Sequence, residues 1–446
     1  MRLADRRVSL SKAVRDFQNR IYPSRNNDTG GRLAAQLAVE GLLAAIVLNL
    51  ATVYTSMFAN RMGANATQIA LAISLPQFFA MVILVPATLF NNRLHDKRRP
   101  VEIAVILTGL FYGLAGFAPF TGGLKIWFLI GMVGLANIPL SLYNSSWQNY
   151  FSDIVQPSDR NAYYTVRTSM TFFAGIVVVQ LTGIILGSAQ TDQMRIWLYQ
   201  GCYWLAFLVT WLQLRVLRSS PPDLGVSSTS GWRDLKAAII ELLHCRRFTV
   251  FFGISIFFHF GWYMAWPLFF LAQVKYLGAN ESWLSYIAVS GSLLQWLTVK
   301  PWGRFIGKHG IRMTLGIGAL GLAANPLFAV LATYLPAGYQ LPGMLIFNLV
   351  NSCTFSAFQL SILQCLLEAV PVRFKALNLS IYTSFLLLAN SIAPLLGTQI
   401  YVLLGTSKSS LALTMFISSL IRFIGAGLFF LRWRSLRSEP DCGMRQ

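Results

Sequence analysis

The chain has 446 residues, 55% of them hydrophobic and 12% charged, with a mean hydropathy of +0.55 and a formal net charge of +20. A soluble domain carries about 25% charged residues, so a water-soluble globular chain is excluded, and the length allows many membrane spans of about 20 residues each. Nucleic-acid binding is rejected as the reason for the basic excess because of where the charges lie.

In chain order, the basic tail comes first, at 1–32. Leu3, Val8, Leu10, Val14, Phe17 and Ile21 recur there at near-helical spacing. That fits a short amphipathic helix on the membrane surface, or equally a solvated basic tail. Six apolar segments follow, at roughly 33–58, 66–90, 101–120, 124–150, 165–188 and 196–215, making a first bundle over 33–218. A polar, Ser- and Pro-containing loop at 219–246 includes a short helix with Trp232, Leu235, Ile239, Leu242 and Leu243 on one face. Six more segments, at roughly 248–272, 282–301, 311–334, 341–367, 376–402 and 410–431, make a second bundle over 247–432, with a tail at 433–446. The segments are continuously apolar rather than alternating, which excludes a β-barrel, and inside lipid the backbone must satisfy itself as helix. The fold class expected is an all-α polytopic membrane protein with twelve transmembrane helices in two pseudo-symmetric six-helix bundles.

Of the 36 Lys and Arg, 30 fall on the side of the two tails, five in the opposite loops (Arg61, Lys125, Arg195, Lys275, Lys408), and Arg422 lies inside a span. This is the positive-inside pattern, so both termini are expected in the cytoplasm, with anionic lipid as the partner of the basic side and no nucleic acid. None of the five cysteines lies in an external loop, and no cleavable signal peptide is visible.

The two halves echo each other. Gly63-Ala64-Asn65 recurs as Gly278-Ala279-Asn280, 215 residues later. Asp153 to Pro157 is echoed by Glu368 to Pro371 at the same offset, and Arg215, Arg218 and Pro221 recur as Arg434, Arg437 and Pro440 at 219. A duplicated half in a hydrophobic chain points to a transporter made of two related bundles.

The turn after the eighth segment carries Gly303, Lys308, Gly310 and Arg312, which match G-x-x-x-D-[RK]-x-G-x-[RK], with Gly307 where the acid belongs. The corresponding first-half loop keeps the acid and base as Asp96 and Lys97 but lacks both glycines. This pair of loops resembles the signature of the major facilitator superfamily. Trp147-Gln148-Asn149 followed by Asp153, Pro157, Arg160 and Arg167 is similar to an uncharacterised bacterial branch of it, as is Trp266 to Phe270 leading into Gly278. The resemblance implies alternating access, with Asp96, Lys97, Asp153, Arg160, Gly303, Lys308, Gly310, Arg312 and Glu368 as gating-loop residues, or as residues that only enforce topology. The glycines are expected to allow a tight turn with close helix approach. The proline of the drug–proton antiporter signature is absent from span five, and span four has no arginine.

Ionisable groups within spans are functional candidates because burying them is unfavourable. Glu40 in span one and His259 in span seven are expected to couple transport to protons, or else to serve as hydrogen-bonded structural groups. Arg422 in span twelve reads as a structural charge that pairs or snorkels, with anion binding as the alternative. Asn137, Ser141, Asn144 and Gln148 fall on one face of span four; Asn348, Ser352 and Gln359 do so on span ten. Tyr263, Trp266 and His259 share a face of span seven, with Trp262 close by, and Tyr54 shares Glu40's face of span one. The resemblance places spans one, four, seven and ten around the central cavity, so these polar and aromatic residues are its expected lining. Interhelical hydrogen bonding is the alternative for them.

No catalytic cluster, nucleotide-binding loop, metal-ligand spacing or cofactor motif is present in the sequence, so an enzyme is not expected. The expected function is secondary active transport of a small organic solute, with proton coupling, by a monomer in the bacterial cytoplasmic membrane. The alternative is an uncoupled facilitator or an amphiphile or lipid exporter on the same fold.

Overall fold

The structure is a computed structural model that describes residues 28–91, 96, 98–156, 159–221, 232–371 and 375–435. Lys97, the first 27 residues and the last 11 lie outside the described residues, and with them the expected N-terminal amphipathic segment.

Among the described residues all regular structure is helical. The first half contributes Asp28–Thr52, Ala66–Asn91, Arg98–Ala115, Lys125–Ile154, Arg160–Gly187 and Asp192–Ser219 as spans one to six. The second contributes Arg246–Met264, Glu281–His309, Ile311–Tyr334, Gln340–Ala369, Lys375–Leu403 and Lys408–Ser435 as spans seven to twelve. Nine of the twelve are long and apolar enough to cross a membrane by length and composition. Spans three, six and eight fall short for two reasons: Arg98, Arg99 and Glu102 burden span three, whereas spans six and eight have charge-free interiors diluted by Trp, Tyr, Gln and Ser, as at Gln200, Trp204, Ser285 and Gln295.

The halves pack alike. Span two lies on four, three on four, three on six, one on five and one on six; each contact recurs six spans later as eight on ten, nine on ten, nine on twelve, seven on eleven and seven on twelve. The two most extensive contacts between the halves are span two with eleven and span five with eight, and the same shift exchanges them. This is a pseudo-twofold pair of six-helix bundles.

The repeated tripeptide has one job in both places. Gly63 and Gly278 adopt φ of +92° and +67°, the left-handed region in which glycine is unstrained. The asparagine two residues on caps the next helix: Asn65 Oδ1 accepts from the Gln68 N–H at 2.9 Å, and Asn280 Oδ1 from the Trp283 N–H at 3.0 Å. Gln68 Oε1 returns a bond to the Asn65 N–H at 3.0 Å.

Two spans expected to be continuous are broken. Span one stops at Thr52 and restarts as Thr55–Arg61. Thr52 and Thr55 each donate a hydroxyl back to the carbonyl four residues earlier, both at 2.8 Å, a bond that bends helices. Span seven turns at Ala265 and restarts as Trp266–Leu271, where Pro267 has no N–H to continue the ladder.

The connecting helix Trp232–His244 presents Leu235, Ala238 and Leu242 inward; Ala238 and Leu235 pack with Leu377, Ile381 and Val85. Ile239 and Leu243, expected on the same face, are exposed instead. Ala238 is the residue that periodicity of large side chains overlooks, and it turns the docking face by part of a turn.

Candidate functional site

A cavity of about 300 Å³ lies wholly within the second half. Span seven supplies Trp262, Trp266, Phe269 and Gln273, and span eight Ile287, Ala288, Gly291 and Gln295. Span ten supplies Met344, Asn348, Asn351, Ser352 and Phe355, and span nine closes the back with Leu322 and Asn325. Of the residues the sequence pointed to, Trp262, Trp266, Asn348 and Ser352 are brought together here. Asn348 Nδ2 donates to the Ile287 carbonyl at 2.8 Å. Gly291 lets spans eight and ten approach, since a Cβ there would stand 2.8 Å from both Asn348 Nδ2 and Ser352 Oγ.

Arg422 is fully buried behind this cavity, and backbone carbonyls are its hydrogen-bond partners. Its guanidinium donates to the carbonyls of Gly261 at 3.2 Å, Trp262 at 2.9 Å and Leu322 at 3.0 Å. The sequence explains why those acceptors are free. Leu322 stands four residues before Pro326, which has no N–H to give it, and Gly261 and Trp262 precede the turn at Ala265. Arg422 therefore pins spans seven, nine and twelve together where span seven is broken.

In the first half, Glu40 is buried and joined to three helices besides its own. Arg167 Nε and Nη2 donate to Glu40 Oε2 at 3.2 and 3.1 Å. Gln213 Nε2 donates to Oε1 at 3.0 Å, and the Tyr143 hydroxyl makes a short bond to the same oxygen. The Arg167 guanidinium lies over the Trp147 ring at 3.6 Å. Gly41 makes the approach possible, because a Cβ there would meet Arg167 Cγ at 2.5 Å. Glu40 is visible in the sequence as an acid within a span, whereas its partners are joined to it only by the packing.

His259 is buried, with Nδ1 2.7 Å from the Ser255 carbonyl. Its ring packs against Trp262, Tyr263 and Phe358 at 5.5 to 5.7 Å. Tyr263 stacks on Trp262. Neither His259 nor Tyr263 is in the cavity wall. Asn137 and Ser141 are half-buried, with Asn137 Nδ2 bonded to the Val133 carbonyl at 2.9 Å, while Asn144, Gln148 and Gln359 are exposed.

On the side opposite the tails the halves are closed against each other around Glu281, an acid that the sequence pattern did not single out. Glu281, at the start of span eight, has no exposure. It takes Arg61 Nε at 3.0 Å, Arg61 Nη2 at 3.1 Å and the Tyr199 hydroxyl at 3.0 Å, all from the first half. Arg61 also reaches Asp192 at 3.1 Å. Below this seal, Gly183 and Gly187 of span five press on Ser285 and Ser282 of span eight, and a Cβ at Gly183 would stand 2.3 Å from Ser285 Cβ. Tyr54 belongs to this layer: its hydroxyl donates to the Val179 carbonyl at 2.8 Å, and it lies 2.5 Å from where a Gly183 Cβ would be.

On the tail side, Arg312 pairs with Glu368 at 3.2 Å across spans nine and ten. Asp96 accepts from the Arg98 N–H at 3.1 Å and pairs with Arg99 at 3.2 Å. Arg160 Nε donates to the Val155 carbonyl at 3.1 Å, closing the end of span four, and Asp153 Oδ1 accepts from Ser152 at 3.3 Å. The expected tight turn after span eight is confined to Gly310, at φ +83°. Gly303 and Lys308 are helical and exposed, and among the described residues nothing would lie within 4 Å of a Cβ at Gly303, so its glycine makes neither a turn nor a close contact there.

No protein-family model matches the sequence, and no curated protein matches it. Solved structures match the fold over most of the chain. The partially occluded inward-open xylose transporter XylE from E. coli aligns with a TM-score of 0.67 at 12% identity, covering 93% of this chain and 99% of its own. A POT family transporter in complex with 5-aminolevulinic acid aligns at 0.69 and 12%, covering 91% and 96%. The nucleoside transporter NupG aligns at 0.65 and 14%, covering 90% and 99%. The fold is that of the major facilitator superfamily, and the chain is a multi-pass membrane protein.

Proposed function

We propose that this chain is a secondary transporter that carries a small organic solute through a bacterial cytoplasmic membrane by alternating access, acting as a monomer. Its termini and its basic side then face the cytoplasm and anionic lipid. The observation that carries this reading is the far-side seal: Glu281 of one half is buried against Arg61 and Tyr199 of the other, beside a solute-sized cavity. Asn144 and Gln359, 215 residues apart on equivalent helices, are both exposed polar groups in the tail-side halves of their spans, in keeping with a vestibule open to the cytoplasm. The similar folds are named for a xylose transporter, a nucleoside transporter and a POT family transporter holding 5-aminolevulinic acid, all small solutes. An amphiphile exporter draws no support from a cavity of about 300 Å³ rich in carboxamides.

The test is a disulfide across the seal. A Cβ at Gly187 would lie 3.1 Å from Ser282 Cβ, close to the ~3.5–4.5 Å that a disulfide spans. Gly187→Cys with Ser282→Cys, oxidised in proteoliposomes, should abolish solute counterflow, and reduction should restore it. Unchanged counterflow in the cross-linked protein rejects alternating access.

Proton coupling is placed on Glu40, because protonating it would release Arg167 and loosen spans one, four, five and six together. Glu40→Gln should leave counterflow and remove accumulation driven by a pH gradient. Retained pH-driven accumulation in that variant rejects this assignment.

A further inference from the structure

The cavity wall is unusual in what it holds. Five of its side chains are carboxamides (Gln273, Gln295, Asn325, Asn348 and Asn351), joined by Ser352, and none carries a charge. A carboxamide offers donors and an acceptor in one group, which matches a hydroxyl that both donates and accepts. The opposite character comes from Trp262, with Trp266 perpendicular to it at 6.4 Å and Phe355 inclined at 5.6 Å. Such a corner covers the C–H face of a ring or the plane of a base.

Asn351 lines the cavity, but its Oδ1 is shielded from the open space and has no hydrogen-bond partner among the described residues, which leaves its desolvation penalty unrecovered. Turning the carboxamide into the cavity would bring it a donor from a bound solute. Charge narrows the class further. Arg422 stands directly behind the wall, bonded to the carbonyls of the lining residues Trp262 and Leu322 and 5.9 Å from the Phe269 ring. It repels a cation, while an anion finds no charged side chain in the lining. The volume lies at the small end of the ~300–1,000 Å³ of ligand pockets, room for one small solute.

We infer that this cavity binds a small neutral solute rich in hydroxyl or N–H donors, a monosaccharide-like polyol or a nucleoside, with Asn351 accepting one of its donors and the second half alone supplying the contacts. The inference deepens the transport reading and rests on it for the solute's passage, not for its binding.

The test measures binding to the full chain in nanodiscs by titration calorimetry, with glucose, xylose, inositol, uridine and adenosine as neutral probes, and glucosamine and glucuronate as charged ones. At least one neutral probe should bind, and the sugar and nucleoside arms say which source supplies the ring. Glucosamine and glucuronate should bind about tenfold or more weakly than glucose if glucose is the ligand. Asn351→Leu, which keeps the volume and removes the acceptor, should weaken binding about tenfold, with apparent melting temperature as the check on folding. Binding by no neutral probe, equal binding of the charged sugars, or unchanged affinity in a folded Asn351→Leu protein overturns the inference. Binding without counterflow in proteoliposomes would reject transport and leave the site. Counterflow of charged or amphiphilic solutes that ignores Asn351→Leu would reject the site and leave transport.

Discussion

Ser255 and Tyr382 share a hydrogen bond of 2.6 Å at the positions that Glu40 and Arg167 occupy in the first half, each 215 residues earlier. One half thus holds a buried ion pair where the other holds two neutral hydroxyls. Removing one member of a buried pair strands the other charge, typically at about 3–5 kcal/mol. Arg167→Leu should therefore lower the apparent melting temperature sharply. Adding Glu40→Gln should recover most of the loss, because no charge is then left behind. Ser255→Ala should move it much less, since a neutral bond is worth only ~0.5–1.5 kcal/mol.

Glu281→Gln should open the far side. Among the described residues the carboxylate is the group of the second half to which Arg61 and Tyr199 hydrogen-bond in the seal, and truncating one partner of a buried charged pair costs about 2–5 kcal/mol. That corresponds to a shift of about tenfold or more toward the far-open state. Labelling of a cysteine at Ser285 by an impermeant maleimide from the far side should quicken accordingly. No change in labelling would show that the glycine contacts below the seal suffice to keep it shut.

Gly183→Val should act in the same direction by bulk instead of charge. Its Cβ would meet Ser285 Cβ at 2.3 Å, a separation that no side-chain rotation relieves. Cutting back the opposing residue with Ser285→Gly in the same chain should restore closure, measured by the labelling rate of a cysteine placed at Ser282. Failure of the second change to rescue would mean that Gly183 matters within span five rather than across the interface.

Arg422→Met should destabilise the second half even though it removes a buried charge, because three carbonyls lose their donor. Each orphaned acceptor costs ~1–3 kcal/mol. Pro326→Ala in that background returns an N–H to Leu322 and should recover part of the loss, read as a rise in apparent melting temperature. In the parent chain the same Pro326→Ala change should bring no such gain.

The helices and their duplication were legible because lipid forces long apolar segments and a gene-length repeat leaves its turn residues in place. The broken spans were not, since a threonine hydroxyl turned back on its own helix leaves no trace in hydropathy. Gly303 misled because a glycine in a basic stretch reads as a turn, whereas span eight runs on through it to His309. Helical spacing selected Trp262, Trp266, Asn348 and Ser352 for the cavity. It missed Gln273, Gln295, Asn325 and Asn351, which lie on spans or faces that the resemblance did not assign to the centre. Glu40 was visible as a buried acid, but Arg167 lies 127 residues away at a span edge, and only the packing of span one on span five joins them. Glu281 was hidden by its own position: an acid after a capping asparagine is what any helix start favours.

Spans two and eight, each of which crosses to the other half, both begin at an Asn-capped elbow set by a left-handed glycine. A helix that starts at a pre-satisfied corner has no loose turn to unwind when its half tilts. The halves would then rock as preformed bodies, and the amide hydrogens of Gln68 and Trp283 should resist deuterium exchange equally well in both states of the cycle.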